Sequence, residues 1–439
     1  MYTFTPAIGF MPPVFRLNLR MFDVTLNTNV TTDTALTDEM KTHYQRTLID
    51  TAEPELLHDR FGQVANIPAG SGKRTEWRYF DPLPKALTPL TEGVSPAGSK
   101  LAMHTLDVTP NQYGDFVAYS DIISKTTIDP IVVQATLELG SQAGRTMDTI
   151  TREVLAGGSN RMFAPSVASN GTITDILLRS SIDGGCLYTP VVNRAAVNEL
   201  KRMNAKKING KYAVIIHPDT TNDMMGNTEW IDAQKHVNPE KIYAGNIGEM
   251  AGAVFNETTE AKIIAPADIF TGVNRLSLKT ALDGTGSTDI TLNETISAAQ
   301  AAELTAAIAA DTVQIYVGGN LATLASVTAG APGTGKLVAT AAVKNVAANA
   351  MVCGTGAGKL GHAIYFTTIF GFNAYGVTAI DGLGLQHIVK ELGSGGTADP
   401  LNQRGTIGWK GTKAAKRLIE AYMIRIEHTT SLGLTAQSN

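Results

Sequence analysis

Cysteine is almost missing from the 439-residue chain: Cys186 and Cys353 are the only two, and they lie far apart. That excludes a disulfide framework and a cysteine metal site, and makes a reducing compartment the default. Charge is sparse as well, at 17% of residues with a formal net charge of −4. A dedicated nucleic-acid binder carries a basic surplus that neutralises phosphates, so that class is set aside. No apolar run reaches the roughly 20 residues of a membrane helix. The opening "MYTFTPAIGFMPPVFRLNLR" has no basic leading region and is broken by Pro6, Pro12 and Pro13, so neither a secretory signal nor a membrane anchor is expected there. What remains is 43% apolar residues over a length sufficient for two or three domains and a substantial core.

Catalytic patterns are equally scarce. The eight histidines occur singly, and none has the spacing that puts two imidazoles on one helix face, so no metal is expected. His217 in "VIIHPDT" ends an apolar strand beside Asp219, and the reading preferred is a turn capping the next helix. "TEG" at Thr91 to Gly93 and "ETTE" at Glu257 to Glu260 supply carboxylates without a partner acid. No serine sits in G-x-S-x-G. "GAPGTGKL", Gly330 to Leu337, has the skeleton of a phosphate-binding loop with Lys336 in the lysine position. Leu337 stands where the magnesium-binding hydroxyl belongs. The near-echo "GTGAGKL" at Gly354 to Leu360 also ends in leucine, so both read as glycine turns, with Lys336 expected in an exposed turn and no cofactor expected.

The elements that are present are unusually long or unusually open. Trp77 and Tyr79 alternate with Glu76 and Arg78 as in a half-buried strand, and a second strand-like run covers Lys100 to Val108. Between them Pro82, Pro84 and Pro89 forbid regular structure, which predicts a hairpin whose stiff tip has too little apolar surface to fold on itself. Residues 28 to 60 read as an arm entering a short helix near Thr37 and Met40. The stretch from Asp129 predicts a helix with Asp129 as N-cap, Pro130 at its first position and Gly157 and Gly158 closing it. Val132, Ala135, Leu139, Ala143, Met147, Ile150 and Val154 form one apolar stripe along it. Beyond it an α/β pattern runs through a helix near Val191 to Asn204, the strand "KYAVIIHPD" and the strand "AGAVFNETTEAKI". From Leu276 to Leu360 the composition shifts to Ala, Thr and Gly. A helix at Ser297 to Ala310 and a hairpin turning at Gly318, Gly319 and Asn320 are expected there, as a small inserted subdomain with a thin core. The closing "GTIGWKGTKAAKRLIEAYMIRIEHTT" alternates in strand fashion.

Seven stretches in order resemble the major capsid protein family of N4-type tailed phages: "DTALTDEMKTHYQRTLID", "PLPKALTPLTEGVSPAG", "NQYGDFVAYSDII", "GSQAGRTMDTITREVLAGG", "VIIHPDTTNDMM" with "EWIDAQK", "NETTEAKI" and "GTADPLNQRGTIGWKGTKAAKRL". The resemblance spans about 31 to 264 and 364 to 427. It implies an α+β, HK97-like capsid fold: an N-terminal arm over 1–58, an extended β-loop over 62–113, a peripheral domain over 114–184 and 391–430 built on a spine helix at 130–156, and an axial domain over 185–390 with 276–360 inserted. Trp77, Tyr79, Pro82, Pro84, Pro89 and Glu92 in the loop are then expected to touch neighbouring subunits. Val132, Leu139, Met147, Ile150 and Val154 are expected to carry the spine helix.

The function so implied is structural: self-assembly, through hexamers and pentamers, into an icosahedral head enclosing double-stranded DNA. Portal, scaffold and decoration proteins are the expected partners, with non-specific contact to packaged DNA, no membrane, and the host cytoplasm as the place of assembly. Residues 1–20 precede the family-like part, which makes Met21 an alternative start, and the insert has no counterpart in the pattern. An encapsulin-like compartment of the same fold and a nucleotide hydrolase using Lys336 are the competing readings. A receptor- or glycan-binding role is a further one for the insert alone.

Overall fold

The computed structural model describes residues 57–90, 92–95, 98–122, 131–168, 170–237, 248–394 and 401–439. Nearly all of the expected arm, including Thr37 and Met40, lies outside the described residues, as do Asp129 and Pro130. Among the described residues no helix is long and apolar enough to cross a membrane. The chain is mixed α+β, organised around two sheets that share one long helix, with a small barrel added to the second.

The first sheet is built on β21 (Arg404–Arg417), whose 14 residues outrun any single neighbour. β4 (Asn111–Ser120) lies antiparallel along its first ten residues, from Arg404 opposite Ser120 to Lys413 opposite Asn111. On the other side β20 (Gln386–Lys390) faces Thr406 to Lys410, β19 (Tyr375–Thr378) faces Ala414 to Arg417, and β1 (Gln63–Val64) runs parallel to β19. The helix α1 (Ile131–Ala156) crosses one face. Its 26 residues, at 1.5 Å each, make a rod of roughly 40 Å. Leu139, Ala143 and Met147 are buried against Ile407 and Trp409, with Val132, Ala135 and Ile150 packed around them.

The far end of α1 departs from the expected glycine cap. Neither Gly157 nor Gly158 adopts positive φ. The last carbonyls are satisfied instead by arginines: Arg417 donates to Val154 O and Arg425 to Ala156 O. Cations at a helix C-terminus also oppose its dipole. The stripe shifts there too, because the helix leaves the first sheet and meets the second. Leu155, not Val154, is fully buried, in a cluster with Phe370, Tyr375 and Met423, while Val154 is half-buried.

The second sheet has the order β5–β22–β18–β8–β10–β9, formed by β5 (Arg161–Phe163), β22 (Met423–His428), β18 (Ile364–Phe370), β8 (Tyr212–Ile216), β10 (Ala253–Glu257) and β9 (Glu249–Met250), with a short seventh strand, Ile263–Ile264, pairing β18. β8 and β10 are parallel. Every residue of β8, β18 and β22 is buried, which demands cover on both faces and hence a central position. The pairing cuts across the expected domain limits. β5 and β22 belong with β8 and not with the spine-helix sheet, whereas β19 and β20, expected in the axial domain, flank β21.

The stretch that reads as inserted is a closed barrel. Its strands β12 (Arg275–Ser277), β13 (Ser287–Thr291), β14 (Gln314–Val317), β15 (Asn320–Thr328), β16 (Lys336–Val343) and β17 (Met351–Gly354) pair in the order β12–β17–β14–β15–β16–β13. Leu278 then bridges Leu292, and Asn293 N–H donates to Ser277 O at 3.0 Å, which joins the two ends of the sheet. Gly318 and Gly319, at φ 55° and 90°, make the two-residue turn between β14 and β15 that the strands' twist favours. The helix Ala298–Ala310 carries a capping box at Ser297 and Gln300. The core is not thin: Leu278, Ile290, Leu292, Val317, Leu337 and Val352 are all fully buried, in a cluster separate from the sheets' own. The barrel's two ends are paired, Arg275 opposite Cys353, and Arg275 donates to the carbonyls of Gly361, Gly433 and Ala436 at its root. Replacing 276–352 by a short Gly/Ser linker is therefore expected to leave the two sheets folded. Circular dichroism and a thermal melt of the excised variant check this, and loss of the remaining strand signal would contradict it.

Candidate assembly surface

β2 (Thr75–Phe80) and β3 (Met103–Val108) pair antiparallel from Thr75 opposite Val108 to Phe80 opposite Met103. Between them the described residues form no strand, in keeping with the three prolines: Pro82, Pro84, Pro89 and Glu92 are all exposed. Leu83, Leu87, Leu90, Val94 and Leu101 are exposed with them, Leu87 by 81% and Leu90 by 76%. Single exposed apolar residues need no explanation, but five on one extended tip make an apolar surface of the kind that marks an interaction site. No described residue covers it.

Two residues expected at this surface are less exposed than the tip. Trp77 is buried: its indole fills the slot left by Gly376 of β19, where an added Cβ would come within 2.7 Å of Trp77 Cζ2. It roots the hairpin on its own subunit, helped by Thr75 Oγ1 lying 3.1 Å from Thr378 Oγ1. Tyr79 is half-buried and stacks on His104, with ring centroids 5.1 Å apart. Sequence gave no sign of the glycine slot, since β19 is remote from β2 along the chain.

Beneath the helix, the first described segment is held by buried polar groups that the sequence did not single out. His58 N–H and Nδ1 both meet Asp148 of α1, and Tyr375 OH donates to His58 O. Asp59 accepts from Thr151 Oγ1 at 2.6 Å and from the ammonium of Lys413, which also donates to Met147 O. Burial pulls the Lys413 pKa down, against the opposing pull of Asp59. A second buried group ties the far end of the helix: Glu427 accepts from Arg179 Nε at 2.6 Å and Nη2 at 2.8 Å, and pairs with Arg425 at 2.8 Å. Both guanidinium groups lie over the Phe366 ring, at 5.3 and 4.9 Å. Strand alternation places such residues only once the partner strands are known.

The remaining chemical candidates are structural. His217 Nδ1 accepts from Asp219 N–H at 3.1 Å and caps the helix Pro218–Met225. Lys336 is not in a turn: it begins β16 and pairs with Asp289 of β13 at 2.8 Å, both half exposed. Gly330 and Gly335 spend their N–H groups on Ile296 O and Ala331 O, and Leu337 points into the barrel core. No cradle of free amides is left for a phosphate in this turn. Among the described residues no group of His, Cys, Asp and Glu is placed to hold a metal.

His428 has a measurable consequence. Its ring is fully buried, with Nδ1 donating to Thr429 O and Nε2 2.9 Å from Thr367 Oγ1, and burial lowers its pKa to about 4. The unfolded chain takes up this proton near pH 6.5, so between pH 6.5 and 4 the unfolded state binds more protons than the folded one. Stability present above pH 6.5 is lost as pH falls toward 4, by roughly 3 kcal/mol from this group. His428→Gln is expected to flatten that acid limb in melts between pH 7 and 4, and an unchanged limb would contradict the assignment.

The family described as "Phage capsid protein" matches residues 118–331. The fold is also similar to several solved capsids at low identity. The capsid of cyanophage P-SCSP1u is 12% identical, covering 94% of both chains with a TM-score of 0.47. That of Ralstonia phage GP4 is 11% identical, covering 97% of this chain and 98% of the other, also at 0.47. The capsid of cyanophage Pam1 is 12% identical, covering 94% of this chain and all of the other, at 0.44. No curated protein matches in sequence. The matched residues hold the long helix, the parallel pair β8–β10 and most of the barrel, and over this stretch, just under half of the chain, the protein is similar to the phage capsid protein family.

Proposed function

We propose that copies of this chain assemble through hexamers and pentamers into the closed icosahedral shell, each copy being an HK97-like subunit of the N4-type group. The observation that carries this reading is the β2–β3 tip, a proline-stiffened run of exposed leucines that no described residue covers. Burying such a surface on another molecule removes apolar area from water and so favours association, and head-to-tail contacts that close by rotation yield rings. In this reading residues 1–58 are the arm, 62–113 the extended loop, α1 the spine, the seven-stranded sheet the axial domain, and the barrel an ornament on the shell's outer side. Exposed Pro82, Pro84, Pro89 and Glu92 line the loop's contact with the next copy. Portal, scaffold and decoration proteins complete the head. The low charge suits an inner wall that meets packaged DNA only weakly. Assembly takes place in the host cytoplasm, and the subunit turns over no substrate. Electron micrographs of the overexpressed protein, with a scaffold if one is required, test the proposal. Closed shells or ring capsomers are expected, and a monodisperse monomer at high concentration would overturn it.

A further inference from the structure

A second exposed apolar element follows the long helix, at a distance along the chain from the β2–β3 tip. β6 (Ser166–Val167) pairs antiparallel with β7 (Ile173–Thr174), and the chain then runs through Asp175 to Arg179. On this finger Leu177 is 80% and Ile173 67% exposed, with Val167 and Leu178 exposed beside them. Between Ala164 and Ile182 the only charged residues are Asp175 and Arg179.

The finger's root is rigid although its surface is bare. Val167 N–H donates to Gly185 O at 3.1 Å, and Ser166 Oγ to Asp183 Oδ1 at 2.7 Å. Arg179 forks onto buried Glu427, and Ile182 is fully buried in the core of the seven-stranded sheet. A knob fixed in this way has little freedom left to lose on docking, so more of its apolar contact survives as binding free energy.

We propose that this finger docks on a second copy of the chain, a contact that rests on the shell reading above and is distinct from the β2–β3 tip. Size favours a copy. The four side chains expose roughly 400 Å² of apolar surface, whereas a stable one-to-one complex needs about 800 Å² from each partner. That is too little to hold an isolated pair, and sufficient as one of several contacts that each copy both gives and receives in a closed ring. Charge excludes a polyanion: phosphate binding needs unpaired cations, and the finger's one arginine is committed to Glu427.

The test uses the full chain and the two native cysteines' burial, which leaves an introduced thiol at position 177 as the reactive one. In L177C the thiol is expected to react with a maleimide in the free subunit and to be protected at least tenfold in assembled shells. The double variant L177S/L178S is expected to melt as the wild type does and to give at least tenfold fewer shells. Equal reactivity in free and assembled protein, or normal shell yield from the double variant, overturns the proposal. Protection already present in the free subunit overturns it in favour of cover from the same chain. Protection that arises only when another head protein is added overturns it in favour of that protein. Wild-type protein that forms no shells in the same preparation brings down the shell reading itself, a failure visible before any labelling.

Discussion

Replacing Leu83, Leu87 and Leu90 together with serine is expected to leave a subunit that melts within a degree or two of the wild type and no longer forms shells. The three side chains are exposed in the isolated subunit, so their removal costs no buried contact there. On a neighbour, each leucine that becomes fully buried contributes about 1.5–3 kcal/mol. Three of them, even half buried, come to roughly 3 kcal/mol per contact, more than a hundredfold in the association constant. Shell assembly compounds that loss, because every subunit makes the contact. Light scattering and micrographs at matched concentration read the result. Normal shells from the triple variant would remove the hairpin tip from the interface.

The largest effect on stability is expected from Glu427→Gln. Its carboxylate is fully buried and lies between Arg179 and Arg425, the latter itself buried and anchored to the end of α1. The carboxylate's hydrogen bond pushes the Arg179 pKa up, while burial pulls that of Arg425 down. A neutral amide keeps the volume and removes the negative charge that the two guanidinium groups share, leaving two cations over one phenyl ring. Breaking one partner out of a buried ionic group costs about 3–5 kcal/mol. Arg179→Ala is expected to cost less, since Arg179 is a third exposed and Arg425 still neutralises the carboxylate. Melting temperatures of the two variants and their double mutant separate these terms, and a Glu427→Gln variant as stable as the wild type would show the group to be dispensable.

Local periodicity made some elements readable and left their partners hidden. The stripe through Leu139, Ala143 and Met147 reports a helix because those residues meet one surface along several turns. Its last turn misleads, with Leu155 buried in place of Val154, since the helix changes partner and the buried face turns with it. Gly318 and Gly319 announced a hairpin through backbone geometry that only glycine adopts readily. Barrel closure by Leu278 and Leu292 depends on residues 14 apart in sequence that share no pattern, so it was not legible. Trp77 illustrates the same limit at the candidate surface. Alternation shows that it is half-buried on a strand, yet only the structure supplies the glycine slot that turns it inward. The open tip was legible because nothing about it depends on a distant partner within the chain: prolines keep it open wherever the rest of the molecule lies, although its exposed leucines were not singled out.

The placement of β21 and β22 in different sheets bears on how a shell can curve. Only residues 418–422 separate the two strands, and the long helix spans the same junction, its final carbonyls held by Arg417 and Arg425 from either side. Hydrogen bonds from both strands to the one helix end tie the two sheets together at this junction. In the proposed shell, fivefold and sixfold surroundings would then draw little compliance from this junction. The angular difference would fall instead on the contacts between copies.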